Sequence, residues 1–407
     1  MASYRILALA TALAVATGGA EAEPLHLQRG VNGDLWNNWG SIAELQADPE
    51  ALAVFPDWRR TVTPQMFAAL AEEGFDFIRL PIDPGPALAY GPGPDQDRLV
   101  EGMRAAAEMA LDAGLKVIVD LHPLPRGSEV GGMESIVGDR FPDYVALVGR
   151  IGAHLADLPA DRTALELLNE PGFDCEGVYA GEPPKWPAMQ AQLHAAARAA
   201  APELPIILTG ACWSQANALA SLDPGLIADN NVLWTFHSYA PYAYTHQGAV
   251  WTEAPVKYLL DLPYPPSLMT AEIAAQVTAA AEARMTAAEG SADAGAIAQA
   301  VQEYVDTPDS AVTDEIAVAA RWADAHGIPR SRILLGEFGA LHTVDGVTQP
   351  LEWYHRFLAD KREAAEGVGM GWAVLSWSSD MGVAVPGDPE RRLSPDTCRA
   401  LGLPCGN

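Results

Sequence analysis

The chain has 407 residues, of which 49% are hydrophobic and 19% are charged, so it holds enough apolar material for a large folded domain. Its formal net charge is -28, and a protein this acidic is repelled by nucleic acid and by anionic membrane surfaces. We therefore expect no nucleic-acid and no membrane partner. Strongly anionic polymers are also disfavoured as substrates, whereas a neutral polysaccharide is not repelled.

The first 22 residues have the pattern of a secretory signal peptide. A basic start that includes Arg5 precedes an apolar run over 6–16, and an Ala-x-Ala cleavage site ends at Ala22. The apolar run is shorter than the roughly 20 residues that a membrane-spanning helix needs. Cleavage removes one cation, Arg5, and one anion, Glu21, so residues 23–407 keep the net charge of -28. We expect an exported monomer, secreted or periplasmic, with one domain over 23–407.

Eight short, apolar, β-prone runs follow along the mature chain, at 26–32, 76–81, 116–121, 164–169, 205–210, 232–237, 332–337 and 371–377. Helical patterns lie between most of them. The clearest begins at Thr63-Pro64, with an N-cap residue before a proline, and ends at Gly74. Further helical patterns cover 97–113, 143–157, 187–200, 313–326 and 351–365. Eight alternations of strand and helix predict an α/β fold, the (β/α)8 TIM barrel.

The connection between the sixth and seventh predicted strands is much longer than the others. Residues 240–266 are rich in Tyr, Trp and Pro, and residues 270–305 are rich in Ala with a helical pattern. We expect an extended, partly helical insertion after strand 6, with its main excursion over 250–312. It forms either a wall or lid of a substrate cleft or a helical decoration of the surface.

The four cysteines favour two disulfides over a metal site, because an even number in an exported chain is typical of disulfides. Cys398 and Cys405 are expected to close a C-terminal loop. Cys175 and Cys212 follow two consecutive predicted strands and are expected to join neighbouring loops. The alternative is four reduced, buried thiols.

Two glutamates end predicted strands far apart in the sequence. Glu170 lies in the Asn-Glu-Pro sequence after strand 4, and Glu337 lies in the Gly-Glu-Phe-Gly sequence of strand 7. In barrel enzymes the strand ends form the active site. A carboxylic acid that gives up a proton and a carboxylate that attacks carbon cleave a glycosidic bond with retention. We assign Glu170 as general acid and base and Glu337 as nucleophile, with carboxyl groups roughly 5 Å apart.

Other polar groups at predicted strand ends suit the same chemistry. We expect Arg79 and the hydroxyl of Tyr239 to stabilise the charge of Glu337. Asn169 is expected to bond a sugar 2-hydroxyl, although it could instead close the turn before Pro171. For either glutamate alone, an ion-paired strand-end residue is the alternative interpretation.

Histidines and tryptophans complete the predicted site. His122 and His237 end strands 3 and 6, where they either orient hydroxyls and carboxyls or serve as hydrogen-bonded core residues. Trp377 is expected to provide the flat apolar face on which a sugar ring stacks. Further subsites, or ordinary core and rim positions, are expected at Trp36, Trp39, Trp213 and Trp251.

Taken together, these residues resemble glycoside hydrolase family 5 over roughly 26–380. The matching residues, in order, are Arg79, His122, Asn169-Glu170-Pro171, His237-x-Tyr239, Glu337-Phe338-Gly339 and Trp377. The resemblance implies a retaining mechanism through a glycosyl-enzyme intermediate, with no cofactor and no metal. The stretch 245–249 resembles a loop of bacterial cellulase-like members, which implies His246 and Gln247 as binding residues.

The substrate expected from this resemblance is a neutral β-glucan, with β-1,4-glucan and endoglucanase action leading. A β-mannanase, a β-1,3-glucanase and an exo-acting β-glucosidase stay open on the same scaffold. A metallohydrolase using His26, His122 and His237 is a different class, disfavoured because the first strand lacks a His-x-His sequence. A non-catalytic carbohydrate-binding barrel is disfavoured by the presence of both glutamates.

Overall fold

The computed structural model describes residues 25–54, 56–124, 132–180 and 184–405. The predicted signal peptide, 1–22, lies outside these residues. In the part of the chain that the structure describes, no helix has the length and apolar character needed to cross a bilayer.

Eight parallel strands close into a barrel, which confirms the predicted fold class. Along the sheet, each barrel strand pairs with the next one in the sequence, and the last pairs back to the first. The barrel strands are β1 Arg29–Asn32, β2 Phe77–Ile82, β3 Lys116–Leu121, β4 Thr163–Glu166, β5 Ile206–Thr209, β6 Val232–His237, β7 Ile333–Phe338 and β10 Gly371–Val374. Two-residue strands β8 Thr343–Val344 and β9 Val347–Thr348 form a separate hairpin.

Helices surround the barrel and fill its connections. The α-helices are α1 Ile42–Ala47, α2 Pro64–Glu73, α3 Gly85–Tyr90, α4 Pro94–Asp112, α5 Gly132–Val137, α6 Phe141–Leu155, α7 Cys175–Tyr179, α8 Trp186–Ala200, α9 Ala211–Ser214, α10 Ala216–Ala220, α11 Tyr242–Thr245, α12 Ala271–Glu289, α13 Ala294–Val305, α14 Ala311–Ala325, α15 Leu351–Gly367 and α16 Pro395–Ala400. Short 3₁₀ segments cover Pro49–Leu52, Asp57–Thr61, Pro224–Leu226, Val256–Tyr258, Pro266–Leu268 and Arg330–Arg332.

Local sequence signals set the helix boundaries. At α2, the Thr63 side chain accepts a hydrogen bond from the Met66 N–H, Pro64 opens the helix, and Gly74 ends it with a φ of 105°. Glycine suits that position because only a residue without Cβ adopts a left-handed φ freely. The same signals begin α12 at Thr270 and end it at Gly290, whose φ is 80°.

The interior of the barrel is apolar at its N-terminal end. An apolar plug is formed by one inward-facing residue from most strands together with two residues that precede β1: Leu25, Leu27, Phe77, Ile118, Ala164, Ile207, Leu233, Leu334 and Ala373. Gly30 leaves room for the Phe77 ring, because a Cβ there would lie 2.1 Å from it. Two residues further along, toward the C-terminal end, the inward positions of β2 to β6 are polar, and they form the floor of the candidate site: Arg79, Asp120, Glu166, Thr209 and Thr235.

The long connection after β6 contains a helical hairpin, α12 and α13, whose buried faces join the main core. The Tyr304 hydroxyl on α13 donates to the carbonyl of Pro263, and α13 also contacts α11. The hairpin therefore packs behind the segment that directly follows β6.

Both predicted disulfides are present in the structure. Cys175 pairs with Cys212 and Cys398 pairs with Cys405, and no free cysteine remains. The first bridge joins the loop after β4 to the loop after β5, on the same face as the candidate site. The alternative of four reduced thiols is wrong.

Candidate active site

Glu170 and Glu337 meet at the C-terminal face of the barrel. Glu170 follows β4 and Glu337 lies within β7. One side-chain oxygen of each, together with a ring nitrogen of His237, lie within 4.8 Å of one another. This limit agrees with the predicted carboxyl spacing of roughly 5 Å.

Glu337 is held as a carboxylate by donors from three sides. Arg79 Nη1 lies 2.6 Å from Oε1, the Tyr239 hydroxyl donates to Oε2 at 2.7 Å, and His237 Nδ1 lies 3.5 Å from Oε2. Burial alone would raise the pKa of Glu337, but the positive charges of His237 and Arg79 outweigh it and lower the pKa to about 2. The expected contacts of Arg79 and Tyr239 with this carboxylate are confirmed.

Glu170 has a more open setting. Its side chain is 27% exposed, against 5% for Glu337, and its Oε1 lies 2.7 Å from His237 Nδ1. The backbone of Glu170 has a φ of 42°, in the left-handed region that non-glycine residues adopt at a cost of about 1 kcal/mol or more. Strain of this kind persists where the surroundings over-determine the conformation. In this conformation the carboxyl group reaches His237.

The loop that carries Glu170 is fixed to the loop after β5. The N–H of Trp213 donates to the carbonyl of Pro171 at 3.2 Å, and the N–H of Cys212 donates to Phe173 at 2.9 Å. Three consecutive residues on the β5 side, Cys212, Trp213 and Ser214, have left-handed φ values of 48°, 58° and 55°. The Cys175–Cys212 bridge joins the same two loops covalently.

Arg79 forms the centre of a buried polar layer beneath the two glutamates. Its guanidinium donates to both oxygens of Glu166 at 2.8 and 2.9 Å, and it lies 3.0 Å from Asp120. Because Arg79 is fully buried, it does not touch substrate directly. A role for Arg79 in binding the sugar directly is therefore wrong; it acts through Glu337 and Asn169, to which it donates hydrogen bonds.

Asp120 and Glu166 belong to this buried polar layer, and neither was predicted from the sequence. Each lies inside an apolar run, two positions beyond an inward-facing plug residue, Ile118 on β3 and Ala164 on β4. The signal was present, because side chains alternate along a strand and a charge at an inward position needs a buried partner. Burial and the neighbouring charge of Asp120 raise the pKa of Glu166, although Arg79 opposes this.

His122 and Asn169 form a second hydrogen-bonded pair. His122 Nδ1 lies 2.9 Å from Asp120, and its Nε2 lies 3.2 Å from Nδ2 of Asn169. Burial alone would lower the pKa of His122, but Asp120 outweighs it and raises the pKa. The Asn169 oxygen accepts from Arg79 at 2.8 Å, so its amide group is oriented from both ends.

His237 bridges the two glutamates. Burial alone would lower its pKa, but the carboxylates of Glu337 and Glu170 raise it overall. Gly336 gives the imidazole its space, because a Cβ at Gly336 would lie 2.3 Å from Thr235 Oγ1 and 3.2 Å from His237 Nε2. A side chain at Gly336, the residue before Glu337, would therefore clash with Thr235 and crowd His237.

Trp377 is not a sugar platform, which corrects that prediction, and Trp36 takes the core position that was the alternative to a subsite. Trp377 is fully buried, with its ring 5.8 Å from Phe67 and its Nε1 donating to the carbonyl of Arg391. Trp36 is 8% exposed and packs edge-on against Phe67. The predicted strand 371–377 was too long: pairing ends at Val374, so the alternation that would aim Trp377 into the cleft does not continue. Trp39 is likewise buried.

Gln247 is also misassigned as a binding residue. Its amide nitrogen donates to Tyr244 at 3.0 Å and its oxygen accepts from the N–H of Leu262 at 2.9 Å, so both ends hold the backbone of the β6–β7 connection. His246 lies nearer the site, stacked on Tyr242 and edge-on to Tyr239. Burial lowers the pKa of His246 to about 4, which keeps its ring neutral at neutral pH.

Two exposed aromatic rings, Trp213 and Tyr242, lie near Glu170. Among the side chains that the structure describes, the four exposed aromatics all follow β4, β5 or β6: Tyr179, Trp213, Tyr242 and Trp251. Trp213 is 51% exposed and its Nε1 would lie 3.1 Å from a Cβ at Gly172, two residues after Glu170. Tyr242 is 53% exposed, and partial burial and then the nearby charge of Glu170 raise the pKa of its hydroxyl. Tyr242 was not predicted.

The candidate metal ligands are the catalytic carboxylates themselves. Among the described residues, the cluster of His, Cys, Asp and Glu atoms close enough to share an ion is Glu170, His237 and Glu337. In the structure these groups bond to one another and to Arg79 and Tyr239. His26 precedes β1, at the opposite end of the barrel from the other two histidines of the metallohydrolase alternative, so that ligand set is not assembled.

Residues 43–380 match the family model described as cellulase, glycosyl hydrolase family 5. The chain belongs to this family. The family match covers the two glutamates and the polar layer beneath them, and it confirms the resemblance drawn from the sequence.

Known relatives share this barrel at low sequence identity. Endoglucanase 3 of Fibrobacter succinogenes is 24% identical over 357 residues, which are 82% of this chain and 48% of that protein. Cellodextrinase A of Ruminococcus flavefaciens is 28% identical over 186 residues, which are 45% of this chain and 53% of that protein. The chain thus spans about half the length of these relatives.

Among solved structures, a cellobiose complex of the Thermotoga maritima protein Cel5A superposes with a TM-score of 0.63 at 21% identity. The match covers 92% of this chain and 97% of that one. The cellulose synthase subunit Z of Clostridioides difficile gives a TM-score of 0.63 at 20% identity, over 92% and 99% of the two chains. These likenesses establish the fold.

Proposed function

We propose that this protein is an exported, retaining endo-β-1,4-glucanase that cleaves neutral β-glucan by double displacement. The observation that supports this best is the difference between two neighbouring carboxyl groups. Glu337 is buried and held ionised by Arg79 and Tyr239, whereas Glu170 faces the cleft within 4.8 Å of it. A carboxyl spacing near 5 Å leaves room for a sugar carbon and not for an intervening water, which is the geometry of retention.

In the first step, Glu337 attacks the anomeric carbon of the bound sugar. The bond from that carbon to the leaving oxygen breaks, and Glu170 gives its proton to the leaving oxygen. The product is a glycosyl ester of Glu337 and a shortened chain with a free hydroxyl. Arg79 and Tyr239 orient the attacking carboxylate, and the second amide N–H of Asn169 is the donor available to a sugar 2-hydroxyl.

In the second step, Glu170 acts as a base. It takes a proton from water as the water oxygen attacks the anomeric carbon, and the ester bond to Glu337 breaks. His237 bonds to Glu170 and lies near Glu337. It therefore holds the two carboxyl groups in position relative to each other through both steps. Two inversions at one carbon give net retention.

The substrate class is supported by charge and by the exposed rings. A net charge of -28 does not repel a neutral glucan. Trp213 and Tyr242 flank Glu170, the group that protonates the leaving oxygen, so they offer apolar faces to a leaving group that is itself a sugar. The named relatives are an endoglucanase and a cellodextrinase.

A β-mannanase is the second candidate. One solved structure of the Thermotoga maritima protein contains mannotriose, and another contains cellobiose. Mannose differs from glucose in the orientation of the 2-hydroxyl, so both sugars present the same anomeric chemistry to the two carboxyl groups.

A hydrolysis panel tests the proposed substrate. The mature protein is incubated with β-1,4-glucan, mixed-linkage glucan, β-1,3-glucan and β-mannan, and reducing ends and product sizes are measured. We expect β-1,4-glucan and mixed-linkage glucan to be cleaved to mixed oligosaccharides, the sign of endo action. Release of single sugars from chain ends, or hydrolysis of mannan alone, would contradict the proposal. Glu337→Gln is the inactive control.

Export is tested separately from activity. The N-terminal pattern supports removal of residues 1–22, and two disulfides fit an oxidising compartment. N-terminal sequencing of protein recovered from the periplasm or medium is expected to begin at Glu23. Light scattering of that protein is expected to give the mass of a monomer.

A further inference from the structure

A buried ammonium group behind the catalytic face has no part in the mechanism above. Lys361 lies on α15 and is fully buried, although lysine is rarely buried unless it is paired. Its Nζ donates to the hydroxyl of Ser238, and that hydroxyl donates to the carboxylate of Glu315 on α14. These three residues, called here the Lys361 network, link two outer helices to the end of β6.

Ser238 connects this network to both glutamates. Its neighbours along the chain are His237, which bonds to Glu170 at 2.7 Å, and Tyr239, which bonds to Glu337 at 2.7 Å. The N–H of Ser238 itself donates to the carbonyl oxygen of Glu337 at 3.0 Å. A shift of Ser238 therefore changes the contacts of both carboxyl groups at once.

We propose that Lys361 is a positioning residue for the glycosidase reaction: through Ser238 it holds His237 and Tyr239 against the two catalytic carboxyl groups. This inference rests on the proposed glycosidase function. Hydrogen bonds from a charged donor are roughly twice as strong as those from a neutral one. The hold on Ser238 accordingly weakens when the ammonium group loses its proton.

The surroundings of Lys361 determine the pH at which its ammonium group loses its proton. Helix α14 contributes Glu315, whose carboxylate accepts from Ser238. The Phe357 ring lies 5.9 Å from Nζ, and Tyr244 and Tyr264 of the connection after β6 pack against that ring. Burial raises the pKa of both phenols, so they stay neutral in this range. Burial also lowers the pKa of Lys361 to about 8, although the charge of Glu315 opposes this.

Loss of this proton is not expected to unfold the protein. The pKa of Lys361 falls from an ordinary value of 10.5 to about 8 in the folded state. Between these values the unfolded chain binds more protons than the folded one, so this group makes folding more favourable as pH rises. A loss of activity above pH 8 without a lower melting temperature is therefore a sign of positioning, not of denaturation.

The test is the pH dependence of kcat/KM on 2,4-dinitrophenyl β-cellobioside. Its leaving group needs no protonation, so the protonation of Glu170 does not shape the profile. We expect wild-type kcat/KM to fall by about tenfold above pH 8, the ratio expected for a charged against a neutral donor. In Glu315→Gln the fall moves to lower pH, because the charge that retains the proton is gone. Asp314→Asn, an exposed neighbour, is the control and follows the wild type.

Lys361→Arg is expected to shift the fall in kcat/KM to higher pH. A guanidinium keeps its charge to pH 10 and beyond, so no fall is expected between pH 7 and 10. If Lys361→Arg does not fold, the pH profile of Glu315→Gln is the test. The Glu315 side chain is only partly buried, so its replacement is expected to be tolerated. A flat wild-type profile between pH 7 and 10, or an identical fall in the wild type and Glu315→Gln, overturns the inference. Absence of turnover by every protein, wild type included, overturns the glycosidase function and this inference with it.

Discussion

Glu170 and Glu337 carry the same functional group, and their surroundings separate their roles. Glu337 has Arg79 and Tyr239 as donors in a buried site, which favours the ionised form. Glu170 is partly exposed, and its carboxyl group bonds to His237. The division between nucleophile and acid is thus a property of the neighbouring residues.

The acid role of Glu170 predicts a substrate-dependent loss. Glu170→Ala is expected to lower kcat on β-1,4-glucan by about 10²- to 10⁴-fold, the range for removal of a general acid. The same variant is expected to form the glycosyl-enzyme intermediate on dinitrophenyl β-cellobioside at a near-normal rate, measured as the burst of dinitrophenol. Equal losses of both rates would exclude the acid role. Glu176→Ala, an exposed change on α7, is the matched control.

The hydrogen bond from Tyr239 is predicted to affect the acid limb of the pH profile, which reports the protonation of Glu337. Its hydroxyl bonds the ionised form of Glu337, whose pKa is about 2. Tyr239→Phe removes one donor to that charged form, so the pKa of Glu337 rises by about one unit and the nucleophile is protonated at higher pH. The acid limb of kcat/KM is expected to move upward with the pKa. An unmoved limb would mean that another group sets it.

The exposed rings beside Glu170 are predicted to bind the leaving sugar. Trp213→Ala and Tyr242→Ala are each expected to raise KM for cellotetraose by about three- to tenfold, since a ring contact contributes about 0.5–1.5 kcal/mol. Neither change is expected to alter KM for dinitrophenyl β-cellobioside, whose leaving group is not a sugar. Leu226→Ala removes an exposed apolar side chain near the start of β6 and serves as control. Equal changes for both substrates would assign the rings to folding instead.

At the scale of elements, the loops after β4 and β5 act as one unit. The Cys175–Cys212 bridge and two backbone hydrogen bonds join them beside Glu170. Replacing both cysteines by alanine is expected to lower kcat on β-1,4-glucan severalfold and to destabilise the protein by about 3–4 kcal/mol. The Cys398–Cys405 bridge, near the end of α2, is the control: its removal is expected to lower stability while kcat is unchanged. Unchanged kcat in both variants would remove any positioning role from the first bridge.

Strand and helix order was predictable from the sequence because it depends on local pattern. The Thr63-Pro64 start and the Gly74 end of α2 are local signals, and both hold in the structure. Trp377 was not predictable in this way. Its orientation depends on where pairing with β1 and β7 stops, and that is a property of the closed sheet.

Glu166 illustrates a different limit. It lies within an apolar run before the strand end, and only the inward alternation from Ala164 indicates that its side chain enters the barrel. Its partner Arg79 is 87 residues away, so the pairing needs the register of three strands. Tyr242 was missed for a similar reason, since its nearness to Glu170 depends on how the connection after β6 folds back.

At the scale of the whole molecule, the net charge of -28 is the dominant feature. Unlike-charged pairs are present, but the excess of carboxylates produces repulsion that salt screens. The melting temperature is expected to rise by several degrees between about 10 mM and 0.5 M NaCl, where the Debye length falls from about 30 Å to a few ångströms. NaCl is preferred to sulfate, which strengthens apolar burial by itself. A melting temperature that falls with NaCl would show that stabilising ion pairs outweigh the net repulsion.

The central claim is that Glu337 forms a covalent intermediate that Glu170 then releases with water. The most direct measurement is proton NMR of the first product formed from a β-1,4-linked cello-oligosaccharide, recorded before mutarotation. Double displacement predicts that the new reducing end appears first as the β-anomer and only later equilibrates. An α-anomer seen first would mean single displacement by water, and the assignment of Glu337 as nucleophile would be wrong.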